Sequence, residues 1–483
     1  MKKLITLQPF SGALISERLQ FENPWWLSGE VETDYTGLKP RFYLKHLYPI
    51  IEETETKRAV VVMGPRRVGK TVLMHHVIAQ LLAKGVPKNK ICFINIENPI
   101  YNTMSLEQLF TAARNAINST ESSGWYVFFD EIQYLKDWEI HLKIMVDSYP
   151  NTKFIVSGSA SAALKMKSQE SGAGRFTDFL VPPLTFHEFL ELKNLGHYLT
   201  PASHVWKGNV MNFYETMNIR ELNRLFLEYI NFGGYPEVMF SQIIQSNPGR
   251  YIRSDIVDKV LLRDLPSLYG IQNVQELNSL FTTLAYHSGY EVSLDSLSTS
   301  SGVEKHLLSK YLKYLEVAFL IRVVNRVNDS AKRFQRATFF KVYLTNPSLR
   351  CALFAPLEPT DDIMGSMVET AIFSQWLHSE TDKPWYARWS QGKSHYEVDM
   401  VGLSRKTLKP QWVLEIKWSN RYIEHTRELK SLLNFCKLNN LKEAMVTTID
   451  KHATVEFEGV TIHFVPAAVY AYSLGKSMID FPN

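Results

Sequence analysis

Along the first third of the chain, apolar and polar positions switch repeatedly between a strand pattern and a helical one. Short apolar runs at Val60 to Val62, Lys90 to Glu97, Trp125 to Glu131 and Lys153 to Ser159 read as strands buried on both faces. Helical stretches follow Thr71 and span Ser105 to Ile117, so strand and helix alternate, which predicts an α/β fold around a parallel sheet. A helix is expected from Tyr43 to Glu53. Trp25 and Trp26 read as burial residues of a lead-in that packs on this core.

Beyond residue 194 the pattern changes twice. An irregular polar stretch, 194–218, gives way to amphipathic runs from Arg220 to Ile230 and from Arg250 to Leu265, punctuated by Gly233-Gly-Tyr-Pro-Glu237. These predict a small helical lid. From Ser293 to Ser298 and from Val303 to Phe319 two helices are joined at Ser301-Gly302, and strands at Leu320 to Val327 and Thr338 to Leu344 flank a basic tip at Lys332-Arg333. Helix, turn, helix and hairpin in that order predict a winged helix. An acidic, proline-containing linker at 355–362 then precedes a helix from Gly365 to Leu377 and two strands carrying Tyr396-Glu-Val-Asp-Met and Trp412-Val-Leu-Glu-Ile-Lys-Trp.

A chain of 483 residues is too long for one core and predicts two to four domains. Hydrophobic residues at 45% and charged residues at 21% exclude a disordered chain. The net charge of +4 selects no partner, but its distribution is uneven. Between Lys305 and Lys341 nine basic residues face two acids, a surplus of seven that makes the winged-helix stretch a candidate for nucleic acid, DNA above RNA. The alternative is a solvated charged surface that serves a protein partner. Three widely spaced cysteines, Cys92, Cys351 and Cys436, offer neither a disulfide framework nor a zinc knuckle and fit a cytoplasmic setting. No apolar run approaches a membrane span, and the residues after Met1 do not read as a signal peptide.

The chemistry is concentrated where the first strand ends. Gly64-Pro65-Arg66-Arg67-Val68-Gly69-Lys70-Thr71-Val72 has the spacing of a phosphate-binding loop opening onto a helix. Its backbone N–H groups would face phosphates, Lys70 would reach the β and γ phosphates, and Thr71 would place its hydroxyl on Mg²⁺. Asp130 and Glu131 close the third strand, Asp130 as a second Mg²⁺ contact and Glu131 as the base that polarises the attacking water. Ser157 or Ser159 is the polar sensor of the γ-phosphate, and Arg175 is a candidate arginine finger for its own or a neighbouring subunit, the latter requiring a homo-oligomer. Arg253, Lys259 and Arg263 of the lid are candidate caps on the nucleotide. In the last region, strand alternation puts Glu397 and Asp399 on one face and Glu415 and Lys417 on another. With Glu369 on the preceding helix, Asp399 and Glu415 are candidate metal ligands and Lys417 a stabiliser of charge in phosphodiester cleavage.

GPRRVGKT, FFDEIQ, VSGS and GRF together resemble the bacterial and archaeal AAA-like P-loop ATPases. GGYPE, the winged helix, and EVD with LEIK resemble the uncharacterised C-terminal domain fused to them, a relative of PD-(D/E)XK nucleases, although Val398 stands where that signature has proline. The resemblance implies ATP rather than GTP and five segments: a lead-in at 1–50, the ATPase core at 51–192, the lid at 193–275, the winged helix at 276–350, and an α/β restriction-endonuclease-like domain at 363–483. The implied activity is ATP hydrolysis coupled to DNA processing or defence. A signalling or scaffold ATPase with an inert C-terminal half is the alternative.

Overall fold

The computed structural model describes residues 11–101, 103–158, 174–206, 209–328, 338–379 and 383–480. Ser159 and the Lys332-Arg333 tip therefore lie outside the described residues. The chain forms two compact units, Met1–Val181 and Pro182–Asn483.

In the first unit, β1 (Ala59–Met63), β2 (Ile91–Asn95), β3 (Tyr126–Asp130), β4 (Lys153–Gly158) and β5 (Phe176–Leu180) form one sheet in the order β2-β3-β4-β1-β5. Every pairing is parallel, as the apolar runs require. The helix Lys70–Ala83 springs from the loop after β1, and Leu106–Ala116 begins in a capping box between Ser105 and Gln108. No apolar run marks β5, whose Phe-Thr-Asp-Phe-Leu is mixed in character. The lead-in covers the β2 edge: Asn23 brackets Phe93, accepting from its N–H at 2.6 Å and donating to its carbonyl at 2.8 Å, while the Trp25 and Trp26 indoles both donate to the Ile91 carbonyl. An edge strand whose backbone groups are met by side chains presents no template for a further strand.

The second unit begins with the buried helix Phe186–Leu192 and a hairpin of β6 (Thr200–Trp206) and β7 (Asn209–Glu215). Residues 182–192 pack within the second unit, and the stretch 193–275, read from the sequence as a helical lid, carries this hairpin beside its helices. Helices Val274–Tyr286, Leu294–Ser301 and Lys305–Val317 then alternate with β8 (Glu291–Ser293), β9 (Ile321–Val327) and β10 (Phe339–Leu344), whose order is β9-β10-β8 and whose pairings are antiparallel. The turn at Gly302 adopts φ +73°, a left-handed helix end that glycine takes without steric cost.

This small sheet does not stand alone. β9 pairs in parallel with β11 (Trp385–Gln391) through Arg326 with Tyr386 and Val327 with Ala387. The sheet continues through β12 (Ser394–Leu403), β13 (Pro410–Glu415), β14 (Glu443–Thr448), β16 (Val460–Pro466) and β15 (Ala453–Phe457), making nine strands in all. The expected division between residues 350 and 363 is thus bridged by backbone pairing. The supposed linker is also anchored: Leu357 is buried, its N–H donating to Asn231 Oδ1 at 2.8 Å and its carbonyl accepting from Asn231 Nδ2 at 3.0 Å.

Candidate functional site

The loop between β1 and the helix Lys70–Ala83 owes its shape to two left-handed residues, Arg67 at φ +65° and Gly69 at φ +90°. Gly64 is required for another reason. A Cβ there would lie 2.2 Å from the Val181 carbonyl oxygen, so any side chain would collide with backbone. Lys70 is buried and donates to the Gly64 and Pro65 carbonyls at 3.1 and 2.8 Å, poised across the loop's mouth. Val68 is buried and its carbonyl accepts from Arg41 Nη1 of the lead-in, while Val72 is half-buried at the helix start. Arg66 donates to the Tyr134 hydroxyl, which in turn donates to Glu97.

Parallel pairing brings the ends of β1, β3 and β4 to the same edge of the sheet. The Thr71 hydroxyl donates to Asp130 Oδ2 at 2.7 Å, and the Ser157 hydroxyl is hydrogen-bonded to Asp130 Oδ1. Ser157 Oγ also accepts from the Glu131 N–H at 3.1 Å. Glu131 itself sits at φ +55°, a left-handed conformation uncommon for a residue with a side chain. Its carboxylate is held by the Gln133 amide. Burial raises the Asp130 pKa to about 6, Glu131's charge adds to the rise, and the hydrogen bonds from Ser157 and Thr71 oppose it. Oxygen donors from Thr71 and Asp130 within one hydrogen bond of each other suit Mg²⁺, a hard cation that takes one or two protein ligands and completes its shell with water and phosphate.

Arg175 does not join this group. It precedes β5, whose register pairs Phe176 with Ala59 and Leu180 with Met63, so it lies at the opposite end of the sheet from Gly64. Five strand residues separate the two ends, about 16 Å. The Arg175 guanidinium instead pairs with Asp147 at 2.5 Å on the surface. As an arginine finger for the phosphate loop of its own chain, Arg175 is therefore corrected. The proposed lid cations are also engaged locally, Arg253 with Asp258 at 3.7 Å and Lys259 with Asp255 at 3.3 Å.

The second unit brings Glu369, Asp399, Glu415 and Lys417 together around a residue that the sequence reading did not single out. Lys341, on β10, is 2% exposed and its ammonium lies 3.0 Å from Glu369, 2.7 Å from Glu397 and 3.8 Å from Asp399. Lys417 lies 2.7 Å from Glu415 and 3.5 Å from Asp399, whose Oδ2 also accepts from the Ile416 N–H at 2.9 Å. The Tyr343 hydroxyl donates to Glu369 at 2.5 Å. Burial opposes the charged form of Asp399, yet Lys417 and Lys341 outweigh it and lower its pKa. Glu415, by contrast, is pushed up to about 7 by burial and by Asp399. Among the described residues Glu415 Oε2 is buried without a hydrogen-bond partner.

Among the described residues no three His, Cys, Asp or Glu side chains are arranged to hold a metal ion. The set Glu369, Asp399 and Glu415 does not fit a metal as it stands, because the Lys341 ammonium already supplies the positive charge between Glu369 and Asp399. The overlooked signal was a single lysine in the apolar strand Phe-Phe-Lys-Val-Tyr-Leu. The same arrangement alters the basic surplus read from the sequence: Lys341 is internal, Arg326 is directed to Glu291 and the Arg388 carbonyl, and Lys305, Lys310 and Lys313 remain exposed on one helix.

Comparison with known proteins gives residues 56–190 as a match to a family model described as an AAA domain, and residues 223–361 as a match to a domain of unknown function, DUF8612. An uncharacterized protein of Methanocaldococcus jannaschii, MJ1544, is 24% identical over 410 residues, which is 83% of this chain and 84% of that protein. An uncharacterized protein of Haemophilus influenzae is 23% identical over 430 residues, 87% of this chain and 96% of its own length. Among solved structures, the Aeropyrum pernix ORC2 protein in ADPNP-ADP complexes covers 68% of this chain and 92% of its own, at 12% identity and a TM-score of 0.35, a likeness too low to carry functional argument. No helix among the described residues is long and apolar enough to cross a membrane. Residues 56–190, with their parallel five-stranded sheet and glycine-bounded loop, thus form a P-loop ATPase-like domain that matches the AAA family model.

Proposed function

We propose that the chain is an ATP-hydrolysing switch whose second unit engages DNA through the winged-helix segment. The observation that carries the hydrolytic part is the convergence of Lys70, Thr71, Asp130, Glu131 and Ser157 at one sheet edge. Lys70 would exchange its two loop carbonyls for phosphate oxygens, and Thr71 and Asp130 would hold Mg²⁺, which neutralises charge on the phosphates when bound. Ser157 fixes both acids: it bonds the Asp130 carboxylate and holds the Glu131 backbone, so the Glu131 carboxylate is positioned to take a proton from water. An Arg175 finger acting on a neighbouring copy would require a homo-oligomer.

The DNA-binding part is supported by three helices and three antiparallel strands in winged-helix order and by the exposed Lys305, Lys310 and Lys313. A second reading, in which the C-terminal half binds a partner and cuts nothing, is favoured by Lys341: its ammonium neutralises the carboxylates a nuclease would offer to metal. A first experiment measures ATP turnover with and without duplex DNA across salt concentrations. Glu131→Gln is expected to retain ATP while losing about 10²-fold or more in turnover. Turnover in that variant equal to wild type sinks the hydrolytic assignment; turnover indifferent to DNA sinks the DNA-coupled one. Parallel incubation of plasmid and single-stranded DNA with Mg²⁺ or Mn²⁺, comparing wild type with Asp399→Ala and Lys70→Ala, decides between cutting and binding.

A further inference from the structure

The second unit contains a tryptophan-walled cavity that neither the nucleotide site nor the carboxylate cluster uses. It has a volume of about 380 Å³ and is lined by Trp376 after the helix Met364–Gln375, Trp385 on β11, and Trp412 and Gln411 on β13. This lies within the ~300–1,000 Å³ range of small-molecule sites. Trp376 and Trp412 stack, with ring centroids 5.4 Å apart and planes at 11°, so two indoles form one rigid wall. Gly402 makes that wall possible: a Cβ there would come within 2.0 Å of the Trp412 ring. Among the described residues the Trp376 indole N–H is buried without an acceptor.

Charge narrows the choice of occupant. Lys383 and Arg405 line the same cavity and are exposed, and none of the described residues lining it is acidic. A smaller cavity of about 70 Å³ shares Trp376, Lys383 and Trp385 and extends to Arg322 and Asn325 on β9, again with no acid among its described lining residues. Indoles offer stacking faces to any base, and cations track phosphates, which is the composition by which proteins hold single strands. Two adjoining cavities with cations along both suit successive units of a chain better than a lone molecule.

We propose that this cavity pair binds single-stranded nucleic acid, one base entering the tryptophan-walled cavity with its phosphates against Lys383 and Arg405. Trp412 precedes Glu415 by three residues on β13, about 10 Å along the strand, and strand alternation turns the two side chains to opposite faces of the sheet, so the cavity is separate from the carboxylate cluster. The site is independent of the winged-helix reading, which concerns duplex DNA.

The full chain is titrated with a labelled oligothymidylate of about twelve residues, a matching abasic strand, a hairpin duplex and thymidine monophosphate. The oligothymidylate is expected to bind about tenfold or more tighter than the abasic strand, the size of one stacked base, and to quench tryptophan fluorescence. Lys383→Glu combined with Arg405→Glu, both on the surface and therefore compatible with folding, is expected to weaken single-strand binding about tenfold or more while duplex affinity and ATP turnover stay unchanged. Equal affinity for thymidylate and abasic strands, or single-strand affinity untouched by the double substitution, overturns the proposal. Monophosphate binding as tight as the oligomer assigns the cavity to a free nucleotide instead and overturns the strand assignment.

Discussion

Ser157 shows how much one hydroxyl can organise. It reaches both acids at the end of β3, joining the Asp130 carboxylate through its oxygen and fixing the left-handed Glu131 by accepting its N–H. Ser157→Ala is expected to lower ATP turnover about tenfold or more while nucleotide affinity changes little, because the phosphate loop is untouched. Equal loss of affinity and turnover in single-turnover assays would contradict that division. The three cysteines make a different residue-scale case. Burial pushes the Cys351 and Cys436 thiols up to about 12 and raises Cys92 as well. A raised thiol pKa leaves the neutral, unreactive form dominant until pH approaches that value, so native protein at pH 8 should show no fast reaction with a disulfide reagent, and denatured protein should show three. Fast labelling of the native chain would mean those side chains are not buried as described.

The phosphate loop was legible because its chemistry is contiguous, nine residues whose spacing alone positions the groups. Arg175 was misleading for the opposite reason. Its role depended on which end of a strand it occupied, and β5 was not readable from its mixed sequence Phe-Thr-Asp-Phe-Leu. Lys341 depended on tertiary pairing with residues on a helix and on β12, which no local pattern carries.

At the scale of elements, β10 lies between β9 and β8 in the sheet and is also the source of the ammonium in the carboxylate cluster. Removing that ammonium strands carboxylates in a dry site, which typically costs about 3–5 kcal/mol. Lys341→Met should lower the melting temperature of the second unit, and adding Glu369→Gln should recover part of the loss because one uncompensated charge is removed. A melt unchanged by Lys341→Met would show that the lysine is not structurally required. Glu291 does comparable work across the neighbouring seam, meeting Arg388 at 2.7 Å, Arg326 at 3.5 Å and the Tyr386 hydroxyl at 2.8 Å, and so ties β8, β9 and β11 together by side chains where the backbone register is short. The helices Leu294–Ser301 and Lys305–Val317 and the strands β9 and β10 after them were readable from periodicity and turn residues. The strand pairing that joins them to the C-terminal strands was not, because β9 and β11 are distant in sequence and meet over only two residue pairs.

For the whole molecule, the division after Val181 and the unbroken nine-stranded sheet beyond it set which pieces can exist alone. A fragment spanning residues 182–483 is expected to give a cooperative melt, whereas residues 363–483 alone would expose the β11 edge and lose Lys341 from the carboxylates, and should aggregate or remain unfolded. A soluble, cooperatively melting 363–483 fragment, checked by circular dichroism and sedimentation, would refute that dependence. The Pro-rich acidic stretch at 355–362 looks like a place where a gene could be cut and each half joined to something new. Pinned through Leu357 to Asn231, and spanned by the β9 and β11 pairing, it is a poor crossover point. Recombination there would break two partners that have to be inherited together, so descendants should trade the two segments as one block or not at all.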